Sequence, residues 1–164
     1  MAADKITDFS RLSINTATTK VQFGFADAVK HYKSAGISGI SPWRDQVAAI
    51  GVDEAAKMIR DYDMTVTGYC RGGFFPYMDA GHKQRNIDDN LKTIDEAAAL
   101  GAECVVLVCG GLPDTVPGEK PGTFKNISAA RDMVAEGVAA VLDHAKSCNI
   151  PLAIEPLHPM YAGD

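Results

Sequence analysis

The chain has 164 residues, enough for one domain with a sizeable hydrophobic core. Its formal net charge of −5 argues against a nucleic-acid partner, which needs a clustered basic face. No stretch is apolar for long enough to span a membrane, and residues 1–10 lack the apolar core of a secretory signal. The four cysteines form no Cys-x-x-Cys pair and indicate reduced thiols. We therefore expect a cytoplasmic protein without nucleic-acid or membrane partners.

The first half of the chain predicts two strand–helix units. Residues 11–16 alternate, which predicts a strand with Ser13 and Asn15 on one face and apolar side chains on the other. A helix follows and ends near Gly36, a common helix terminator. A short strand is predicted at residues 39–43, and Asp53 is placed to cap a second helix. The predicted buried stripes are Phe25, Ala28, Val29 and Tyr32 in the first helix, and Ala56, Ile59 and Tyr62 in the second.

The second half predicts three strands and two helices. β-Branched residues favour a third strand at residues 65–70, and the apolar run at residues 104–109 is typical of a parallel strand covered on both faces. The last strand, residues 150–155, ends in Glu155. A third helix is closed by Gly101, and a fourth covers about residues 128–147. Their predicted core stripes are Ile87, Leu91, Ile94 and Ala98, and then Val134, Val138, Val141, Leu142 and Ala145.

Five strands alternating with four helices predict a parallel α/β fold with right-handed crossovers. The candidates are an open doubly wound sheet and a (β/α) barrel of the TIM type. No Gly-x-Gly-x-x-Gly or Walker sequence is present, which weakens the case for a nucleotide-binding open sheet. Polar Ser13 and Asn15 fit a barrel lumen better than a helix-covered face. We predict the barrel, as a single domain over residues 1–164.

Polar or aromatic residues stand at the carboxyl ends of four predicted strands, where both folds place their sites. Glu155 is the most informative of them, because a carboxylate ending a buried strand needs a partner and a divalent metal ion is the natural one. A cap on the following helix or an ion pair with Arg71 are the alternatives. The four strand-end residues are Asn15, Trp43, Arg71 and Glu155.

Four runs of sequence resemble a known family. They are Ser-Pro-Trp-Arg at 41–44, Cys-Arg-Gly-Gly-Phe-Phe at 70–75, Asp-Glu-Ala-Ala-Ala-Leu-Gly-Ala at 95–102 and Glu-Pro-Leu-His-Pro-Met-Tyr at 155–161. Together they resemble the xylose isomerase-like TIM-barrel superfamily, and within it the sugar phosphate isomerase/epimerase group. That group also includes inosose dehydratases, hydroxypyruvate isomerases and tagatose epimerases. The resemblance extends from the first predicted strand to the last residue.

The resemblance implies an isomerase, epimerase or related polyol dehydratase that removes a proton next to a carbonyl with the help of a divalent metal ion, Mn²⁺, Co²⁺, Mg²⁺ or Zn²⁺. Glu155 would be a metal ligand and a catalytic residue, and His158 would be a catalytic and substrate-binding residue. Barrels of this type need about 250 residues. We therefore expect an incomplete barrel, from the first strand to the fifth, that lacks the family's later Asp, His and Glu ligands and is inactive in isolation.

The same resemblance implies a small sugar or sugar phosphate as the partner, bound by strand-end residues. Trp43 would stack on an apolar sugar face or fill the barrel mouth. Arg71 would bind an anionic group, or pair with a nearby carboxylate. Asn15 would reach the pocket or cap the first strand–helix turn, and His158 would contact substrate or hydrogen-bond to backbone. The substrate-binding prediction thus comprises Asn15, Trp43, Arg71 and His158.

Two other functions remain as alternatives. An unclosed half-barrel exposes strand edges, which predicts a non-catalytic fragment or a module that self-associates through those edges. A metal-dependent apurinic endonuclease is disfavoured, because it needs a histidine-rich zinc cluster and a basic face. We interpret His31, His82 and His144 as surface residues without partners at ligand spacing.

Overall fold

The computed structural model describes residues 7–110 and 126–156 of the chain. In these ranges the chain forms six strands and five α-helices, where the sequence predicts five strands and four helices. Two compact units can be separated. One is Met1–Cys70 with Ala99–Glu103, and the other is Arg71–Ala98 with Cys104–Asp164.

Strands and helices follow one another in an α/β order. The strands are β1 (Ser13–Asn15), β2 (Gly39–Ser41), β3 (Thr65–Val66), β4 (Tyr69–Gly73), β5 (Val105–Val108) and β6 (Leu152–Glu155). The helices are α1 (Phe25–Ser34), α2 (Arg44–Ile50), α3 (Val52–Asp61), α4 (Ala80–Ala99) and α5 (Ile127–Ser147), with a 3₁₀ turn at Thr16–Thr18.

The first unit contains the parallel sheet β1-β2-β3 and the helices α1, α2 and α3. Ile14 of β1 pairs with Ile40, and Ile40 pairs with Val66 of β3. Ile40 and Val66 are buried, and α1 packs against α2 and α3. The predicted stripe of the first helix is confirmed, because all four of its members are buried: Phe25, Ala28, Val29 and Tyr32.

The second unit contains β5, β6, the last three residues of β4 and the helices α4 and α5. The sheet order is β4-β5-β6, and β5 pairs with β6 in parallel, from Val105 opposite Leu152 to Val108 opposite Glu155. The apolar run of β5 is largely buried, as its sequence predicts. The helices add the buried residues Asn90, Thr93, Ile94 and Ala97 from α4, and Ala130, Gly137, Val141 and Ala145 from α5.

The helical part between β2 and β3 differs from the prediction. It forms two helices, because Gly51 adopts a φ of 88° that ends α2 and serves as the N-cap of α3. The predicted cap, Asp53, lies instead within the first turn of α3. A glycine is suited to this junction, since a positive φ is unfavourable for residues with a Cβ atom.

The predicted third strand, residues 65–70, is also divided. Thr65 and Val66 pair with β2, whereas Tyr69–Gly73 belongs to the sheet β4-β5-β6. The strand is therefore interrupted at Thr67 and Gly68, although Cys70 still forms a parallel bridge with Trp43 beyond the end of β2. A run of strand-forming residues does not reveal this interruption. These two divisions account for the extra strand and the extra helix.

The last strand is less buried than predicted. Leu152 and Ala153 are half-buried, Ile154 is 59% exposed, and Glu155 is exposed. Among residues 7–110 and 126–156, β6 pairs only with β5, so one of its edges has no strand beside it. The expectation of a buried last strand is wrong for this reason.

Within the described ranges, no helix combines the length and apolar character that crossing a lipid bilayer requires.

Candidate active site at the carboxyl edge of the second sheet

Glu155 lies at the carboxyl edge of the sheet β4-β5-β6. It pairs with Val108, the last residue of β5. On the other side of β5, the Phe74 N–H donates to the Val108 carbonyl at 2.9 Å. The ends of the three strands therefore lie level, with Gly73, Val108 and Glu155 side by side. This is the edge where parallel α/β folds place their binding groups.

Gly73 brings β4 close to β5 at this edge. Its φ is 99°, and a Cβ atom at this position would overlap the carbonyl oxygen of Val108. Asn90, a buried residue of α4, holds the glycine from the other side. Its side chain accepts from the Gly73 N–H at 2.6 Å and donates to the Gly73 carbonyl at 2.8 Å. This two-point contact fixes the end of β4 against α4.

Arg71 is supported by an aromatic ring. Its guanidinium carbon lies 4.5 Å from the centre of the Phe74 ring, a cation–π geometry. Phe74 has a φ of 56°, unusual for a residue with a large side chain. A Cβ atom on Gly110 would lie only 3.0 Å from the Phe74 Cα atom. The loop after β5 therefore approaches Phe74 closely, and Arg71 lies exposed above this support.

A pocket of about 230 Å³ opens beside the ends of β5 and β6. It is formed by the residues that follow the two strands and by the first turns of α5. Most of its lining is apolar, and Arg131 adds a cationic group. The lining residues are Pro76, Cys109, Gly110, Ala130, Arg131, Val134 and Pro156.

The Glu155 carboxylate is a suitable single ligand for a divalent ion, since it is exposed at the edge next to this pocket. Within the described part of the chain, no hydrogen bond or ion pair engages it, and no group of three metal-binding side chains includes it. A metal ion at Glu155 would therefore need further donors from elsewhere. His158 lies outside the described residues.

Asn15 and Trp43 lie together in the first unit. The Asn15 side chain accepts from the Ala17 N–H at 2.9 Å, which caps the 3₁₀ turn. Its amide also donates to the Cys70 sulfur at 3.6 Å, and Cys70 forms a parallel bridge with Trp43. The Trp43 N–H donates to Thr16 Oγ1 at 2.9 Å. The capping alternative for Asn15 thus describes its main contact.

Trp43 also carries a charge above its ring. The Lys20 ammonium lies 5.9 Å from the ring centre, and Trp43 is half-buried. Ser13 and Thr67 share a hydrogen bond of 2.6 Å on the same sheet. The polar residues of β1 therefore contact polar side chains from neighbouring strands, as a polar barrel lumen predicts.

The order of the second sheet separates Arg71 from Glu155. They belong to β4 and β6, β5 lies between these strands, and Arg71 is two residues before the end of β4, which places their backbones about 12 Å apart. This separation leaves room for a small ligand between an arginine and a carboxylate.

Comparison with known proteins identifies the family. Residues 28–163 match the sequence profile described as xylose isomerase-like TIM barrel. The chain belongs to the xylose isomerase-like TIM-barrel family. The predicted fold class, a parallel α/β barrel of the TIM type, is confirmed by this match. No curated protein matches the chain.

Several solved structures share the fold of this family. Protein SMc04130 from Sinorhizobium meliloti 1021 is 57% identical, with a TM-score of 0.85 over 93% of this chain and 53% of that chain. The 3-keto-D-glucoside 4-epimerase YcjR from E. coli is 14% identical, with a TM-score of 0.65 over 82% of this chain and 52% of that chain. The IOLI protein with a binding zinc atom is 15% identical, with a TM-score of 0.74 over 88% of this chain and 51% of that chain. The chain spans about half the length of these proteins.

Two features of this family member were missed from the sequence. Asn90 is not in the predicted stripe, although it lies three residues after Ile87 and four before Ile94, and it is buried against Gly73. His144 has a partly exposed side chain, as expected of a surface residue, but the expectation that it lacks partners at ligand spacing is wrong. It contacts Asp95 and Cys148. The spacing of His144 and Cys148, one helical turn apart, could have indicated this pair, whereas Asp95 comes from another helix.

Proposed function

We propose that the chain belongs to a metal-dependent isomerase or epimerase of sugars or sugar phosphates, with a polyol dehydratase as a close variant. The observation that carries the proposal is the position of Glu155, exposed at the carboxyl edge of β6 beside an apolar pocket. Family membership and the sugar epimerase among structures of the same fold support this reaction class.

In this proposal Glu155 contributes one metal ligand, and the other donors are not among the described residues of this chain. A divalent ion, when bound, stabilises the negative charge that develops on the substrate oxygens. In an isomerase, the Glu155 carboxylate takes the proton from the carbon next to the carbonyl and delivers it to the neighbouring carbon. In an epimerase, Glu155 takes the proton and a second acid on the opposite face of the same carbon supplies the new one. His158 donates a hydrogen bond to a substrate oxygen.

Arg71 and Trp43 have binding roles in this proposal. Arg71 is fixed on the Phe74 ring and binds an anionic group of the substrate, such as a phosphate. Trp43 stacks against an apolar sugar face, and Asn15 contributes its amide to the same end of the first sheet. The substrate is a small sugar or sugar phosphate.

The cellular setting follows from the cysteines and is part of the same proposal. None of Cys70, Cys104, Cys109 and Cys148 forms a disulfide. Cysteines without any disulfide are typical of a reducing compartment, which supports a cytoplasmic enzyme.

Calorimetric titration with Mn²⁺, Co²⁺, Mg²⁺ and Zn²⁺ tests the role of Glu155. We would use the full 164-residue chain with Cys148→Ser, so that thiolate binding elsewhere does not contribute. Binding should be lost when Glu155→Gln is added, because the amide removes the anionic ligand. Equal binding with and without Glu155→Gln would exclude Glu155 as a ligand.

Solvent hydrogen exchange tests the chemistry independently of the metal. Transfer of deuterium from heavy water to the carbon next to the carbonyl, in ketoses and their phosphates, reports proton abstraction. We expect exchange that depends on Glu155 in any preparation that provides the remaining ligands. Turnover without exchange would contradict the proposed mechanism.

A second candidate is a non-catalytic half-barrel that self-associates. Ile154 is 59% exposed on β6, whose outer edge pairs with no strand in the part of the chain that the structure describes. An open edge of this kind is a template for pairing with another chain. The observation favours association but says nothing against catalysis by the assembled form.

A further inference from the structure

A cluster of three different metal-binding side chains lies at the other end of the second unit. His144 is in the last turn of α5, and Cys148 is the C-cap residue one turn later. Asp95 reaches them from α4. Cys148 is four residues before the start of β6, whereas Glu155 is at its end. The cluster is thus separate from the carboxyl edge that carries the proposed catalytic site.

The three donor atoms form a small triangle. His144 Nε2 lies 2.7 Å from Asp95 Oδ1 and 3.7 Å from the Cys148 sulfur. The sulfur lies 3.9 Å from the same Asp95 oxygen. Helical spacing of four residues accounts for the side between His144 and Cys148, since such side chains are neighbours on one face.

These distances are close to those of a tetrahedral zinc site. Bonds of about 2.3 Å to sulfur and about 2.0 Å to nitrogen and oxygen require donor separations of about 3.6 Å for S–N, 3.5 Å for S–O and 3.3 Å for N–O. The two distances that involve sulfur differ from these values by a few tenths of an ångström at most. Only the pair His144 and Asp95 must open, by about 0.6 Å.

This opening is feasible because the side chains are accessible. The side-chain exposure is 36% for His144 and 63% for Asp95. Their mutual hydrogen bond holds the two donors together before a metal arrives, and neither is locked in a packed core. Solvent on the exposed side can supply a water as the fourth ligand.

We propose that Asp95, His144 and Cys148 form a peripheral binding site for a zinc-like divalent cation. A thiolate with an imidazole is a borderline-soft donor set, which favours Zn²⁺ or Co²⁺ over Mg²⁺ or Ca²⁺. On binding, the Cys148 thiol releases its proton to solvent, and the neutral His144 imidazole and the Asp95 carboxylate complete the protein ligands. The ion links α4 to α5 and stabilises the second unit.

Cobalt spectroscopy of the full chain tests this site. Co²⁺ titrated into the reduced chain should give a thiolate-to-cobalt charge-transfer band and the visible bands of a tetrahedral ion, saturating at one ion per chain. Cys109 lines the pocket next to Glu155, so Cys109→Ser, which should keep the charge-transfer band, distinguishes this cluster from the carboxyl edge. Zn²⁺ should displace Co²⁺ and remove both signals.

Variants assign the ligands. Cys148→Ser should remove the charge-transfer band, and His144→Gln or Asp95→Asn should each weaken binding by about 100-fold, since even outer-shell partners of metal ligands contribute 10–100-fold. Cys104→Ser, a half-buried thiol of the same unit, is the matched control and should keep the band. Glu155→Gln should also keep it.

X-ray absorption of the Zn²⁺-loaded chain gives a readout that does not depend on variants. One sulfur and two or three nitrogen or oxygen neighbours around the zinc are expected. The proposal is overturned if the reduced wild-type chain shows no charge-transfer band, if the band survives Cys148→Ser, or if the zinc has no sulfur neighbour.

Discussion

Glycine is needed at position 73 for two separate reasons, the backbone conformation and the lack of space for a side chain. Its φ of 99° is unfavourable for any residue with a Cβ atom, and the space for that atom is taken by the Val108 carbonyl. Gly36 has a similar φ of 79°, but no atom lies within 4 Å of its absent Cβ. The two glycines therefore share the backbone requirement and differ in the steric one.

Alanine at each position separates the two effects. Gly36→Ala should lower the free energy of unfolding by about 1–2 kcal/mol, which is the cost of the left-handed conformation alone. Gly73→Ala should lower it by more than about 4 kcal/mol, because the end of β4 must also move away from β5. Urea denaturation of both variants measures the difference. Equal losses of unfolding free energy in the two variants would mean that the overlap with the Val108 carbonyl adds no cost, and would contradict the prediction.

Residues of the carboxyl edge could be predicted only when local signals identified them. Asn15 follows a strand and precedes a turn, so its capping role could be predicted from the sequence. Asn90 gives no such signal, because its two bonds to Gly73 depend on how α4 packs against β4. Both asparagine side chains hydrogen-bond to backbone groups. Asn15 accepts from a residue two positions away, whereas Asn90 bonds to Gly73, 17 positions earlier in the chain.

Helix α5 contains a glycine where an aromatic ring lies against it. A Cβ atom on Gly137 would overlap the ring of Phe75, which is 1% exposed. Glycine inside a helix usually costs about 1 kcal/mol relative to alanine. Here we expect the opposite sign, since overpacking a fixed ring costs about 1–3 kcal/mol.

The prediction is that Gly137→Ala lowers the free energy of unfolding by up to about 2 kcal/mol net. Gly81, an exposed glycine of α4, is the matched control. A Cβ atom there would contact only the ends of the Asp79 and Arg85 side chains, at 3.3 and 3.4 Å. Gly81→Ala should therefore be neutral or slightly stabilising. Thermal unfolding of the two variants tests the contrast, and stabilisation by Gly137→Ala would refute it.

An exposed ion pair between Lys83 of α4 and Glu136 of α5 links the two helices, and its contribution to stability depends on pH. The hydrogen bond from Lys83 holds the pKa of Glu136 below its usual value of 4.5, and the same bond raises the pKa of Lys83 above 10.5. Tyr77 donates to the same carboxylate at 3.2 Å. The pair contributes stability above the unfolded pKa of the glutamate and below that of the lysine.

Glu136→Gln should lower the melting temperature at neutral pH by no more than about 3 °C, since exposed pairs contribute little. The difference from wild type should disappear as the pH falls through the depressed pKa of Glu136. It should also shrink as the pH rises through the raised pKa of Lys83. The control is Asp143→Asn, which removes the ion pair between Asp143 and Lys146 within α5. A difference that grows in acid would contradict the assignment.

Whole elements were predictable where one periodic pattern determined them. The buried stripe of α1 follows from a 3.6-residue period, and all its members are correct. The division into α2 and α3 depends on the backbone angle of Gly51. In α5, Leu142 belongs to the predicted core stripe but is 38% exposed. Periodicity predicts which face is apolar, but not how much of that face the fold covers.

At the scale of the whole molecule, the exposed strand β6 leads to a prediction about association in solution. We predict that the purified chain self-associates, because the outer edge of β6 offers unpaired backbone groups and Ile154 adds an apolar side chain. Sedimentation velocity over a range of concentrations measures the association. Ile154→Lys should shift the distribution towards monomer, and Val21→Lys, at another exposed apolar residue, should not. A monomer with a cooperative melt would refute the prediction.

The fold class was predictable from the alternation of strands and helices together with the resemblance. The assembly of a site was not, because it needs residues brought together from distant segments. Glu155 could be placed at a strand end from the sequence, whereas Arg71, which is predicted to follow the third strand, lies in the middle of β4. That β5 lies between them follows only from the sheet order β4-β5-β6.

Phe74 carries a cost that a protein selected for stability alone would not keep. Its φ of 56° suits glycine or asparagine, and either would relieve about 1 kcal/mol of backbone strain. The phenyl ring is 40% exposed, so it contributes little to the core, yet Arg71 stacks on it. An engineer who sought a more heat-resistant form would choose this position early, and would thereby remove the ring that supports Arg71.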